Sequence, residues 1–279
     1  MRACIARLCQ ALLVVLLVAP TVAHSDDPDF LPGTDPGGIA IALIGAGIDY
    51  TDAKISSRLA RDGEGTPIGW DFVDNNYKPF EGDSKAYSGG AAAALLSAYK
   101  KSRLIVVRVD TASPSSMAQA LGMASKMPAR IVAVPELSIA DGPQMVTAIA
   151  ARAPDRLFVV PAVLDSWPEP VPPNVVRVAP ISDWDRYYGS GVDAWISAPG
   201  AGMFGSLIIQ TDRPEGEKLA LSVARAAASA ACAQHGRSVP LDGGPARTAY
   251  LATGRPSKER PGVLVYDPLC LYGGKLMNQ

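Results

Sequence analysis

Two histidines and four cysteines are all that a chain of 279 residues offers to general-base, thiol or soft-metal chemistry. His24 and His235 lie far apart, and Cys232 and Cys270 are the cysteines outside the first ten residues. No zinc spacing can be built from them. In an oxidising compartment Cys232 and Cys270 either pair, with a gain of about 3–4 kcal/mol if geometry allows, or stay as separate buried thiols. Gly45-Ala46-Gly47 follows an apolar run, where a dinucleotide fold would open its phosphate loop. Tyr50 stands in place of the third glycine, however, and Gly69-Trp70-Asp71 does not end a second strand with the ribose-binding acid, so a nucleotide site is not indicated. Asp49 and Asp52 form a candidate carboxylate pair, but Asp52 precedes a helix-prone stretch as a capping residue would. Asp71, Asp74, Asn75 and Asn76 could line a hard cation. Their intervals match no calcium loop, and a turn is the expected use.

The elements that must position these groups are read from periodicity. Short Val- and Ile-rich runs occur at Ile39–Ile44, Leu104–Val109, Ile131–Val134, Leu157–Val160, Val175–Ala179, Ala194–Ser197 and Val263–Tyr266. Most are unbroken rather than alternating, the pattern of strands buried on both faces. Between them lie helix-prone stretches at Asp52–Leu59, Gly90–Ser97, Ser115–Ser125, Pro143–Ala153 and Glu217–Gln234. The alternation predicts an α/β fold of three layers, a doubly wound and mostly parallel sheet between helices. The stretches Ala91–Leu96 and Leu219–Ala233 are apolar nearly all round and rich in alanine, as buried helices are. Ser166–Asn174, with its prolines, is expected to be a surface loop.

Residues 1–23 read as a signal peptide: Arg2 and Arg7, an apolar run from Ala11 to Ala19, and a small-residue cleavage site at Thr21-Val22-Ala23. The run is too short for a stable span, and no membrane span is expected after cleavage. Residues 24–37 form a short, loose, turn-rich leader, and residues 38–279 a single domain. With Lys+Arg 26 against Asp+Glu 27, no basic field recruits nucleic acid. A secreted or periplasmic location is expected.

Several segments, in order, resemble one known family. Ile41–Asp49 (IALIGAGID) is similar to the first catalytic strand of subtilisin-like serine proteases. Gly69–Asn76 (GWDFVDNN), Val175–Gly200 ending in Ala-Pro-Gly, and Pro261–Asp267 (PGVLVYD) resemble later segments of that family. The resemblance spans about Gly38 to Leu271 and implies the same α/β architecture.

It also implies where chemistry should sit. Such proteases need a serine, a histidine to take its proton, a carboxylate to orient the histidine, and an oxyanion donor. Carried onto this chain, the orienting Asp falls at Gly45, the general base at Ser88, the oxyanion Asn near Leu164, and the nucleophile at Lys218 within GEKLA. All four chemical positions are substituted. His235 does not compensate, since it lies about 17 residues along the helix that Lys218 begins, roughly 25 Å away, beyond reach of a proton transfer. The family's peptide-binding Ser-Leu-Gly-Gly tail is replaced by Pro135-Glu136-Leu137-Ser138, which weakens or shifts strand pairing to a peptide.

The resemblance thus implies an exported protease homologue without catalytic residues, binding a polypeptide partner and using no cofactor or metal. The alternative is a serine-type peptidase built on a Ser88–Lys218 dyad. Intact-mass measurement of the exported chain is expected to place its first residue at His24.

Overall fold

The computed structural model describes residues 27–82, 87–162, 167–189, 191–196, 214–234, 237, 239–257 and 260–266. Strand β1 (Ile39–Gly45) is followed by α1 (Ala53–Ser56), β2 (Gly69–Asp71), α2 (Tyr87–Ala98) and β3 (Ser102–Arg108). Next come α3 (Pro114–Ala124), β4 (Ile131–Ala133), α4 (Gly142–Arg152), β5 (Leu157–Pro161) and β6 (Val175–Pro180). A 3₁₀ turn (Ile181–Asp183) then leads to α5 (Trp184–Tyr187) and β7 (Ala194–Ile196). Finally α6 (Glu215–Cys232), α7 (Gly243–Leu251), β8 (Arg255–Pro256) and β9 (Leu264–Tyr266) close the described chain.

The strands form one sheet in the order β2-β3-β1-β4-β5-β6-β7-β9-β8. Every pairing is parallel except the short β8–β9 contact. The unbroken apolar runs have the expected consequence, since the central strands β1, β3, β4, β5 and β6 each feed two cores. Ile41, Leu43, Leu104, Val106, Ile131 and Val159 join the core under α2 and α6. Ala42, Ile44, Ile105, Val107, Val132 and Val160 join the opposite one, under α3 and α4. The sheet is therefore the middle of three layers.

The two alanine-rich helices are buried as their composition predicts. In α6 every residue from Ser222 to Cys232 is buried. Small side chains let α6 and α2 approach closely; a Cβ on Gly216 would come within 2.7 Å of the Tyr87 ring. Cys232 is disulfide-bonded; Cys270, its candidate partner, lies outside the described residues, as do His24, His235 and Leu164. Among the described residues no helix is long and apolar enough to cross a membrane; residues 1–23 lie outside them.

Two features refine the sequence expectations. The segment 27–37 has no helix or strand, yet what is described of it is not loose. Asp35 accepts from Arg61 N at 2.8 Å and pairs with Arg103, and Tyr50 donates to the Pro28 carbonyl at 2.8 Å. Phe30 lies on Tyr50 with ring centroids 4.4 Å apart, and Lys78 pairs with Asp29. The proline-rich stretch ends in a structural residue. Asn174 is 2% exposed, and its amide group is shared among the carbonyls of Ala150, Ala153 and Arg156 at 2.9–3.0 Å. It thereby satisfies the carboxyl end of α4. Asn174→Ala removes these donors while the carbonyls remain buried. It is expected to cost about 1–3 kcal/mol of stability, read from the midpoint of urea unfolding.

Candidate functional site

The sheet changes direction of growth once beside β1. From β1 the chain goes out to the edge strand β2, comes back to insert β3 between β2 and β1, and then adds β4 on the other flank of β1. In open α/β sheets such a switch point leaves a crevice beyond the carboxyl ends of the two strands. Here those ends deliver Gly45 from β1 and, three residues beyond β4, Glu136.

Ser88, the second residue of α2, enters the same place from above. Its hydroxyl accepts from the Ala46 N–H at 2.8 Å and donates to Glu136 Oε1 at 3.1 Å. Ser88 is 1% exposed. Glycine at position 45 is what makes room, because a Cβ there would stand 2.3 Å from Ser88 Oγ. The same carbon would lie 3.8 Å from Glu136 Oε1. Gly47 is constrained separately. It adopts φ +102°, a conformation that favours glycine, and a Cβ would press within 2.9 Å of Arg108 Cδ and of Glu81 Cβ. The Gly45-Ala46-Gly47 signal therefore serves close packing around a side-chain cluster.

Burial pushes the Glu136 carboxyl above the ordinary carboxylate range, and the Ser88 hydrogen bond opposes that only partly. Among the described residues no charged group contributes to the shift.

Lys218 has a different attachment. Its Nζ donates to Asp183 Oδ1 at 2.6 Å, with the two side chains 16% and 14% exposed. Asp183 comes from the 3₁₀ turn after β6. Ser88 and Lys218 thus each hold a partner of their own, and no hydrogen bond joins them. Among the described residues there is no histidine. Gly45 and Ser88, two of the positions singled out in the sequence, adjoin one another. Sequence reading missed Asp183 as the Lys218 partner; the nearby Glu215 engages Tyr187 and Arg186. It noticed Glu136 only as added charge on a peptide edge. The available signal was a lone acid within the apolar run IVAVPELSIA, at a strand's carboxyl end.

The remaining acids do structural work. Asp49 accepts from Thr51 N at 2.9 Å, and Asp52 caps α1 through Lys54 N at 2.8 Å. Asp71 Oδ1 accepts from the amides of Val73 and Asp74, forming the anticipated turn. Asp27, Asp71 and Asp74 bring carboxylate oxygens within 4.8 Å of one another. Arg108 already answers that charge, at 2.9 Å from Asp71 and 2.6 Å from Asp74.

Comparison with solved structures defines the class of fold. A cold-adapted subtilisin-like serine proteinase superposes with TM-score 0.52 at 13% identity, covering 86% of this chain and 93% of that one. The patellamide maturation protease PatG gives TM-score 0.51 at 19% identity, covering 80% and 84%. A lanthipeptide protease gives 0.50 at 11%, covering 84% and 86%. The fold is subtilisin-like. No family model matches the sequence, and no curated protein matches it either.

This geometry has two testable outcomes. Gly45→Asp is expected to destabilise the protein by about 1–3 kcal/mol through overpacking against Ser88. In a double-mutant cycle Ser88→Gly should recover part of that loss, measured by chemical denaturation. The raised Glu136 pKa also has a sign. Below the ordinary carboxylate range both folded and unfolded chains are protonated there, and Glu136 costs nothing. The penalty grows as pH climbs from the unfolded value to the raised folded one, and it is complete above that. Glu136→Gln should therefore raise Tm relative to the parent at neutral pH, with the difference vanishing in acid.

Proposed function

We propose that this chain is an exported protein of subtilisin-like fold that binds a polypeptide in the crevice at the β1–β4 switch point and does not cleave it. The observation that carries the reading is the fate of Ser88. Its buried hydroxyl is held by the Ala46 amide on one side and by Glu136 on the other. Attack on a carbonyl would require it to leave both partners and reach a substrate from a fully covered position. Glycine at 45 supplies no carboxylate to orient a base.

The dyad reading draws no support from the site. A lysine activates a serine by taking its proton, for which it must be neutral and within hydrogen-bond reach. Lys218 Nζ instead lies 2.6 Å from Asp183 Oδ1, which directs it elsewhere.

Polypeptide as the ligand class is supported by the solved neighbours, whose names are those of proteases. Export rests on the signal-like start of the sequence.

Fluorescein-labelled casein is the test. Saturable binding by fluorescence polarisation is expected, with no fragments on a gel after prolonged incubation. A fluorophosphonate probe is expected to leave the protein unlabelled. Ser88-dependent labelling or casein cleavage would establish a hydrolase instead.

A further inference from the structure

Glu136 Oε1 is engaged by Ser88, whose own oxygen is fixed by the Ala46 amide. That chain of two hydrogen bonds sets the plane of the carboxyl group. The second oxygen, Oε2, has no hydrogen bond or ion pair among the described residues. Nor do those residues bring a cation to it. On the β3 side Arg108 is engaged by Asp71 and Asp74, and at the start of α6 Lys218 is engaged by Asp183. From β1 and α2 the neighbours are Gly45 and Ser88, both uncharged.

A half-buried carboxylate without a counter-charge is a cost that folding alone does not recover. Asp71, Asp74 and Asp183 each hold an arginine or a lysine. Glu136 holds neither, and it stands at the sheet's switch point, where ligands of open α/β sheets are received.

We propose that Glu136 is the anchor for a basic side chain of the bound polypeptide. A lysine ammonium or arginine guanidinium donates to Oε2 of this half-buried carboxylate. The inference rests on the polypeptide-binding reading and names the residue class that reading leaves open. Electrostatics and hydrogen bonding act together here, since the incoming cation supplies the charge that the fold withholds and the donor that Oε2 lacks. A neutral side chain at the same point supplies neither, and leaves the carboxyl desolvated. A hard metal ion is a poor occupant, because one carboxyl and one already-bonded hydroxyl fall far short of the oxygen ligands such ions require.

The experiment uses the mature chain and three fluorescein-labelled pentapeptides, Ala-Ala-X-Ala-Ala, with X lysine, arginine or norleucine. Norleucine keeps the stem and removes the charge. The basic peptides are expected to bind about tenfold tighter than the norleucine one, the worth of a charge-assisted hydrogen bond. In Glu136→Gln that preference should vanish, with the basic peptides falling to the level of the norleucine one, while circular dichroism reports that the variant is folded. If that variant does not fold, the ratio in the parent protein decides alone. Equal binding of all three peptides by the parent would overturn the basic-anchor inference and leave polypeptide binding standing. Failure of all three peptides and of casein to bind would overturn both.

Discussion

A sheet buried on both faces has nowhere to satisfy its backbone except along its own strands, and nowhere to hide its side chains except under helices on either side. That constraint governs most of the architecture. It makes Ile41 and Leu43 serve one core while Ala42 and Ile44 serve the other. It also forces the connections to cross from one parallel strand to the next by way of helices. A chain that grows first toward β2 and then toward β6 must leave a gap above its starting strand. In that gap the protein keeps Gly45, Ser88 and Glu136.

Within the crevice, volume decides chemistry. The backbone of residue 45 and the hydroxyl of Ser88 approach so closely that no side chain fits between them. The serine is consequently held inward, its oxygen occupied and its surface covered. Lys218 is drawn off to Asp183 by a short ion pair with little exposure. Two residues that together could have formed a reactive couple are each satisfied by something else, and Glu136 is left with one oxygen uncommitted.

The scaffold was legible in the sequence because burial writes itself into composition. Runs such as Ile39–Ile44 and Leu157–Val160 became strands within a residue or so, and the alanine-rich stretch from Glu217 became the buried part of α6. Short elements were less visible. β8 is two residues long and held by a single strand partner, and α5 spans four residues, too few to display a period. The site was half legible. Gly45 and Ser88 could be aligned, because each lies at the end of a regular element. Glu136 and Asp183 reach their partners across 48 and 35 residues of chain, and no local pattern announces a contact of that kind. The fastening of residues 27–37 escaped notice for the same reason, as Asp35 finds Arg61 and Arg103 far along the chain.

Gly45 and Ser88 together have a bearing on how such a chain can change over generations. A side chain cannot enter position 45 until the hydroxyl opposite has withdrawn, and a bulkier residue at 88 would have to turn away from the strand end or displace it. Each position thus guards the other's history. Drift at either one is confined to steps that the second has already permitted, so the pair forms a ratchet resisting any single-step entry of a carboxylate at the carboxyl end of the first strand.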